Sequence, residues 1–298
     1  MRPAFLAMCL LALCTCAPPA PTPSGPDTSA PIERGPKAIS LDGDPNGLFW
    51  DAAGKTLYIA DDQNNRVLKW TDAGGISLVA QLPPAPGNGP GLGDLVRLPD
   101  GTIVVVRFGG GTAGDVVFIR PDGTTGTVPN LKPERRRIGL TLAPEGQLYV
   151  TYFVRVNNAN VGSVARLTLE EGTEQEVVGA LQKPVGVTIM GDSLFVSDQL
   201  AGKVYRAPLA SPQDYTTHAA LPSPDLLAVG PRGSLLTGSR QGKVFSISPS
   251  GEVSVLASGF QQPRGLAYDA ENQRLFIADH DGDDSNGATY FLRILPVE

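Results

Sequence analysis

Apolar and polar positions fall into one phrase that the chain repeats six times. Each copy has a short apolar strand, a polar turn, a second strand rich in Val, Ile, Leu and Tyr, a Gly/Asn loop, and a third strand. The first three copies are "NGLFWDAAGKTLYIADDQNNRVLKW" (46–70), "GDLVRLPDGTIVVVRFGGGTAGDVVFI" (93–119) and "IGLTLAPEGQLYVTYFVRVNNANVGSVARL" (138–167). "VGVTIMGDSLFVSDQLAGKVYRA" (185–207), "DLLAVGPRGSLLTGSRQGKVFSI" (225–247) and "RGLAYDAENQRLFIADHDGDDSNGATYFLRI" (264–294) complete the series. Short β-branched runs bounded by Gly, Asp and Asn predict strands, and no long helical periodicity interrupts them.

The copies start at Gly47, Asp94, Gly139, Gly186, Leu226 and Gly265, 39 to 47 residues apart. Five are followed by a fourth strand, as in "ISLVAQL" (76–82) and "EVSVLAS" (252–258). Four short strands at this period predict propeller blades. The sixth copy has three strands, and "PKAISL" (36–41), upstream of the first, supplies the missing outer one. The expected fold is all-β: a six-bladed β-propeller of four-stranded antiparallel blades over residues 35–298, closed by an N-terminal strand.

Composition adds limits. Charged residues are 18% of the 298, while 35 Gly and 27 Pro suit a turn-rich β protein. A net charge of −6 argues against nucleic acid as a partner, because phosphate binding needs a basic face. The N-terminus reads separately. Arg2 precedes an apolar run, Ala4 to Leu13, that is too short to span a bilayer and has the length of a signal peptide (1–16). "LCTC" and a Pro-rich stretch follow, which resembles a bacterial lipoprotein signal with Cys16 as the lipidated residue. Thr15 stands where a smaller residue is usual, so cleavage and release stay open beside lipidation. Residues 17–34 read as an extended linker. The protein is thus expected in the bacterial cell envelope, lipid-anchored or periplasmic, or secreted. It is expected to be a monomer that touches membrane only through its anchor. All three cysteines (9, 14 and 16) lie in this segment, leaving the propeller no disulfide or thiolate.

The phrases "PNGLFWDAAGKTLYIADDQNNRV" and "QQPRGLAYDAENQRLFIAD" resemble those of the senescence-marker-protein/gluconolactonase (regucalcin-like) propellers and of NHL-repeat proteins. The resemblance spans about residues 36–298 and implies fold more than function, since such superfolds host many activities. It implies a divalent metal at the channel mouth, held by a Glu, Asn side chains and an Asp, polarising a lactone carbonyl and activating water. Asn46 in "PNG" matches that pattern. Asp94 in "LGD" stands one residue off the family's Asp. Asp225 in "SPDLL" copies the local motif in another blade, with Leu226 in place of Gly. The family's Glu has no counterpart.

In a propeller the residue opening each innermost strand faces the channel mouth. Aligned on their turns, the copies put Asn46, Gly93 (with Asp94 next), Ile138, Val185, Asp225 and Arg264 there. Asn46, Asp94 and Asp225 are the candidate ligands for Ca²⁺ or another divalent metal. Arg137, from "ERRRIGL", and Arg264 are candidate rim residues for an anion. A second acidic group, "ADHDGDDSNGA", offers Asp279, Asp281 and Asp283, but Asp284 and Tyr290 occupy the positions where a calcium loop needs Gly and an acid. Asp61, Asp198 and Asp279 close their second strands, and this recurrence points to turn-bonding roles. "GGGTAG" (109–114) lacks the following helix a phosphate loop needs and reads as a hairpin. Neither His218 nor His280 has a serine in a nucleophile context. Two readings follow: a propeller binding a small molecule, glycan or protein at its mouth, or a metal-dependent lactonase or ester hydrolase.

Overall fold

The computed structural model describes residues 37–85, 91–280 and 290–297. The signal peptide, Cys16, the Pro-rich linker, Asp281 and Asp283 lie outside the described residues. Six four-stranded antiparallel sheets follow one another. Their innermost strands are Pro45–Asp51, Leu92–Arg97, Arg136–Leu142, Pro184–Met190, Pro224–Val229 and Gln262–Asp269. Each contacts the next, and the sixth contacts the first, so the ring closes. The outer strand of blade six is Lys37–Leu41, paired antiparallel with Tyr290–Pro296, as the missing strand of the sixth copy required.

Both faces of each blade are buried, which is why strands such as Ile103–Arg107 read as unbroken apolar runs. Six apolar clusters fill the six gaps between neighbouring blades. Alternate residues serve alternate gaps: Leu57 and Ile59 face blade six, whereas Tyr58 and Ala60 face blade two. The gap between blades six and one holds both tryptophans. Trp50 and Trp70 flank Phe276, with ring centroids 5.1 and 5.3 Å away.

One irregularity recurs in every blade. Pro45 pairs with Asp61 and Leu48 with Ile59, so two residues, Asn46 and Gly47, bulge out opposite one. The same shift leaves Gly93–Asp94, Ile138–Gly139, Val185–Gly186, Asp225–Leu226 and Arg264–Gly265 in bulges. Glycine at the second position lets neighbouring innermost strands approach. A Cβ on Gly265 would lie 2.0 Å from the Asn46 carbonyl, and one on Gly139 2.2 Å from that of Val185.

Bulges leave backbone groups unpaired, and hydroxyls take them up. Thr151 accepts from the Gly139 amide at 2.7 Å and donates to the Val185 carbonyl at 2.8 Å. Ser197 does the same between Gly186 and Asp225.

Candidate functional site

The six bulges present their first residues to one end of the channel, where a cavity of about 260 Å³ opens. Asn46, Gly93, Ile138, Val185, Asp225 and Arg264 all line it. The register explains a second ring above the first. In each blade an equivalent position follows the second-strand residue paired just before the bulge: Asp62, Phe108, Phe153, Gln199, Arg240 and His280. Four of these, Asp62, Phe108, Gln199 and Arg240, line the cavity, and Lys183 joins them.

The two rings divide alike. Over blades two to four the apolar members of the wall gather, with Ile138 and Val185 below and Phe108 above. Phe153 packs edge-on against Phe108 with centroids 5.9 Å apart. Over blades five, six and one the wall carries Asp225, Arg240, Arg264, Asn46 and Asp62. Lys183 and Gln199 stand between the halves. Lys183 Nζ donates to Gln199 Oε1 at 2.7 Å, and Gln199 Nε2 donates to Asp225 Oδ2 at 3.0 Å.

Each predicted residue has a definite place. Asn46 donates its side-chain amide to the Leu92 carbonyl at 2.7 Å, tying blade one to blade two. Asp225 accepts from the Leu226 amide at 3.0 Å as well as from Gln199. Asp94 is not part of the cavity lining. The one-residue offset of "LGD" puts Gly93 first in the bulge and turns Asp94 into the wall, where it accepts from the Leu95 amide at 3.0 Å and the Leu140 amide at 3.5 Å.

Arg137 borders the cavity, yet its guanidinium has no donor left for a ligand. Its five N–H groups go to Glu174 (two bonds of 2.7 Å), Gly114, Arg135 and Lys132. Asp279 is fully buried and serves structure, accepting from the Gln261 and Gln262 amides and from Arg293. Asp61 and Asp198 likewise bond the incoming connection, at Asp44 and at Gln182 and Lys183, and also the following turn, at Asn64 and Ala201. The "GGGTAG" loop turns through three glycines with φ of 57°, 63° and 92°, and its carbonyls receive Arg136 and Arg137. His218 lies on the outer strand Thr216–Ala220 of blade four. The imidazole of His280 bonds Asp44 across the gap between blades six and one.

Burial sets the electrostatics. It lifts the Asp94 carboxyl to about 8, with the nearby Asp225 charge adding to the rise. It lifts Asp225 too, against the pull of Arg264, Lys183 and Arg240. Asp62 is raised by burial to about 6. Lys183 is held below the usual lysine range by burial first and by the Arg240 and Arg264 charges as well.

The candidate ligands are not gathered into a carboxylate cluster: among the described residues no three His, Cys, Asp or Glu side chains come together. Both Asp94 oxygens face backbone amides, and any added cation would meet Lys183, Arg240 and Arg264 in the same cavity.

No family model matches the chain, and no curated protein does. Solved structures do match. A luciferin-regenerating enzyme superposes with a TM-score of 0.68 at 15% identity, covering 88% of this chain and 95% of that one. A gluconolactonase from Xanthomonas campestris gives 0.67 at 18% identity, covering 85% and 86%. A regucalcin from Agrobacterium tumefaciens, described as a calcium-binding protein, gives 0.64 at 14%, covering 85% and 92%. These likenesses establish the fold, a six-bladed β-propeller.

Sequence reasoning found the lower ring and missed the upper one, with Lys183. A signal for it existed: the residue after the "AD", "SD" and "GS" strand ends of blades one, four and five is Asp62, Gln199 or Arg240. It becomes readable only once the strand pairing is known.

Proposed function

We propose that this propeller binds a small organic anion at its channel mouth. The observation that carries the reading is the cationic wall of Lys183, Arg240 and Arg264 in one cavity. Among the described residues neither Arg240 nor Arg264 is in an ion pair, and the acids nearby are buried with raised pKa values. Arginine left uncommitted in a small cavity suits carboxylate or phosphate recognition. The cavity volume favours a small molecule over a glycan chain or a protein surface.

Calorimetric titration with small carboxylates and phosphate esters, beside their neutral amide and polyol analogues, tests this. Anions should bind, more weakly as salt rises, and neutral analogues should not. Equal binding of both would sink the reading. The metal-dependent lactonase remains the second reading, supported by the meeting of Asn46 and Asp225 at one cavity with Asp94 coupled to Asp225. Metal analysis of the purified protein and lactone hydrolysis with and without Ca²⁺ decide it. Envelope display through Cys16 is part of the proposal, and loss of labelled-lipid incorporation in Cys16→Ala is the expected result.

A further inference from the structure

Lys183 occupies an unusual position for a lysine. Its backbone is fixed, because the Lys183 amide donates to Asp198 Oδ1 at 2.9 Å just ahead of the innermost strand of blade four. Its Nζ meets the neutral oxygen of Gln199 at 2.7 Å, and Gln199 spends its own amide on Asp225, so the nearest acid is held one residue away. Among the described residues Lys183 is in no ion pair, while two like charges, Arg240 and Arg264, share its cavity. The Phe153 ring centroid lies 5.9 Å from Nζ. Partial desolvation and two neighbouring guanidiniums, against the opposing pull of Asp225, activate such an amine as a nucleophile.

We propose that Lys183 is a covalent-capture site, its ε-amine condensing with the carbonyl carbon of an α-oxo acid whose carboxylate rests on Arg240 and Arg264. This rests on the anion-binding reading and adds a ligand class to it. The ammonium first releases a proton to cavity water. The free amine then attacks the carbonyl carbon, forming the N–C bond as the π pair moves to oxygen, which takes a proton from the nitrogen. The resulting hydroxyl takes one proton from solvent and leaves as water, and the nitrogen lone pair closes the C=N bond. Ammonium and carbonyl thus give iminium and water, with no oxidant or reductant. The depressed pKa of Lys183 increases the share of free amine at neutral pH.

The test uses the full chain with glyoxylate, the simplest α-oxo acid, and cyanoborohydride, which reduces an imine to a stable secondary amine. Peptide mass spectrometry then follows carboxymethylation of every lysine. Lys183 should be trapped about tenfold or more faster than the exposed Lys69 and Lys132, because its cavity holds the carboxylate, and so the carbonyl, beside the amine. Excess acetate, which has the carboxylate but no carbonyl, should slow Lys183 alone. Lys183→Arg should remove the fast phase and keep the background. Trapping at Lys183 no faster than at Lys69 or Lys132 overturns the proposal. If acetate still binds calorimetrically in that case, the anion site stands without covalent capture; if acetate does not bind either, both fall. Should Lys183→Arg fail to fold, the comparison among lysines of the unaltered chain decides alone.

Discussion

Four arginines, three lining the cavity and a fourth, Arg107, paired with Leu92 of its wall, do opposite work. Arg107 and Arg137, in blades two and three, are buried and spent. Arg107 holds Asp115 through two bonds of 2.6 and 2.7 Å and donates to the Pro83 carbonyl, while Arg137 gives all five donors to Glu174 and three carbonyls. Arg240 and Arg264, in blades five and six, line the cavity and are in no ion pair among the described residues. Charge alone therefore says little about role. What separates the pairs is whether acceptors of the fold already use the guanidinium, and sequence distance hides this: Glu174 lies 37 residues from Arg137.

The contrast can be broken by experiment. The largest effect is expected from Arg137→Ala, which leaves the buried Glu174 carboxylate with Arg135 alone and takes the partner from three carbonyls. It should cost about 3–5 kcal/mol of stability, read as a fall in denaturation midpoint. Arg264→Ala should leave stability within about 0.5 kcal/mol but weaken anion binding ten- to a hundredfold, or about 1.5–3 kcal/mol. A stability loss in Arg264→Ala as large as that of Arg137→Ala would erase the distinction between the two pairs.

Titration sharpens the comparison further. Asp62, near 6, and Asp94, near 8, gain negative charge as pH rises, so anion affinity should fall between about pH 5 and 9. Stability carries the same sign. The Asp94 carboxyl titrates higher in the fold than its ordinary 3.8, so its contribution is full below that value and is lost as pH rises through about 8. Asp94→Asn should flatten that slope in thermal melts at successive pH values. The smallest change is expected from Arg240→Lys, which keeps the charge and loses the planar fork. It should weaken carboxylates by a few fold with no change in melting temperature.

The blades were legible because each residue of a blade strand is judged by local alternation and turn chemistry, which the chain displays six times. The lower ring was legible for the same reason, since "PNG", "SPD" and "QPRG" mark equivalent places. What those residues do was less so. Asp94 and Asp225 look alike in sequence, but the position of one glycine decides that Asp94 faces the Leu140 amide in the wall and Asp225 faces the cavity. Arg137 looked like a rim residue because Glu174, its partner, belongs to the outermost strand of the same blade, Glu174–Leu181. Phe108, Gln199 and Arg240 follow strands whose loops differ in length, so no alignment by eye brings them together. Asp279 read as both ligand and brace, and its bonds to Gln261, Gln262 and Arg293 assign it to the latter.

The closing strand has a consequence for how the protein comes into being. Asn46 and Asp62 belong to the first blade and Arg264 to the last, and the Asp44–His280 contact beside them spans 236 residues of chain. The charged half of the mouth is therefore assembled across the final seam, by the pairing most distant in sequence and the slowest to find. A chain still emerging from synthesis, with five blades already folded, lacks this half of the mouth. Capture of ligand would then certify a finished molecule, and Trp50 and Trp70, lodged in that same seam, would report the moment of completion by their fluorescence.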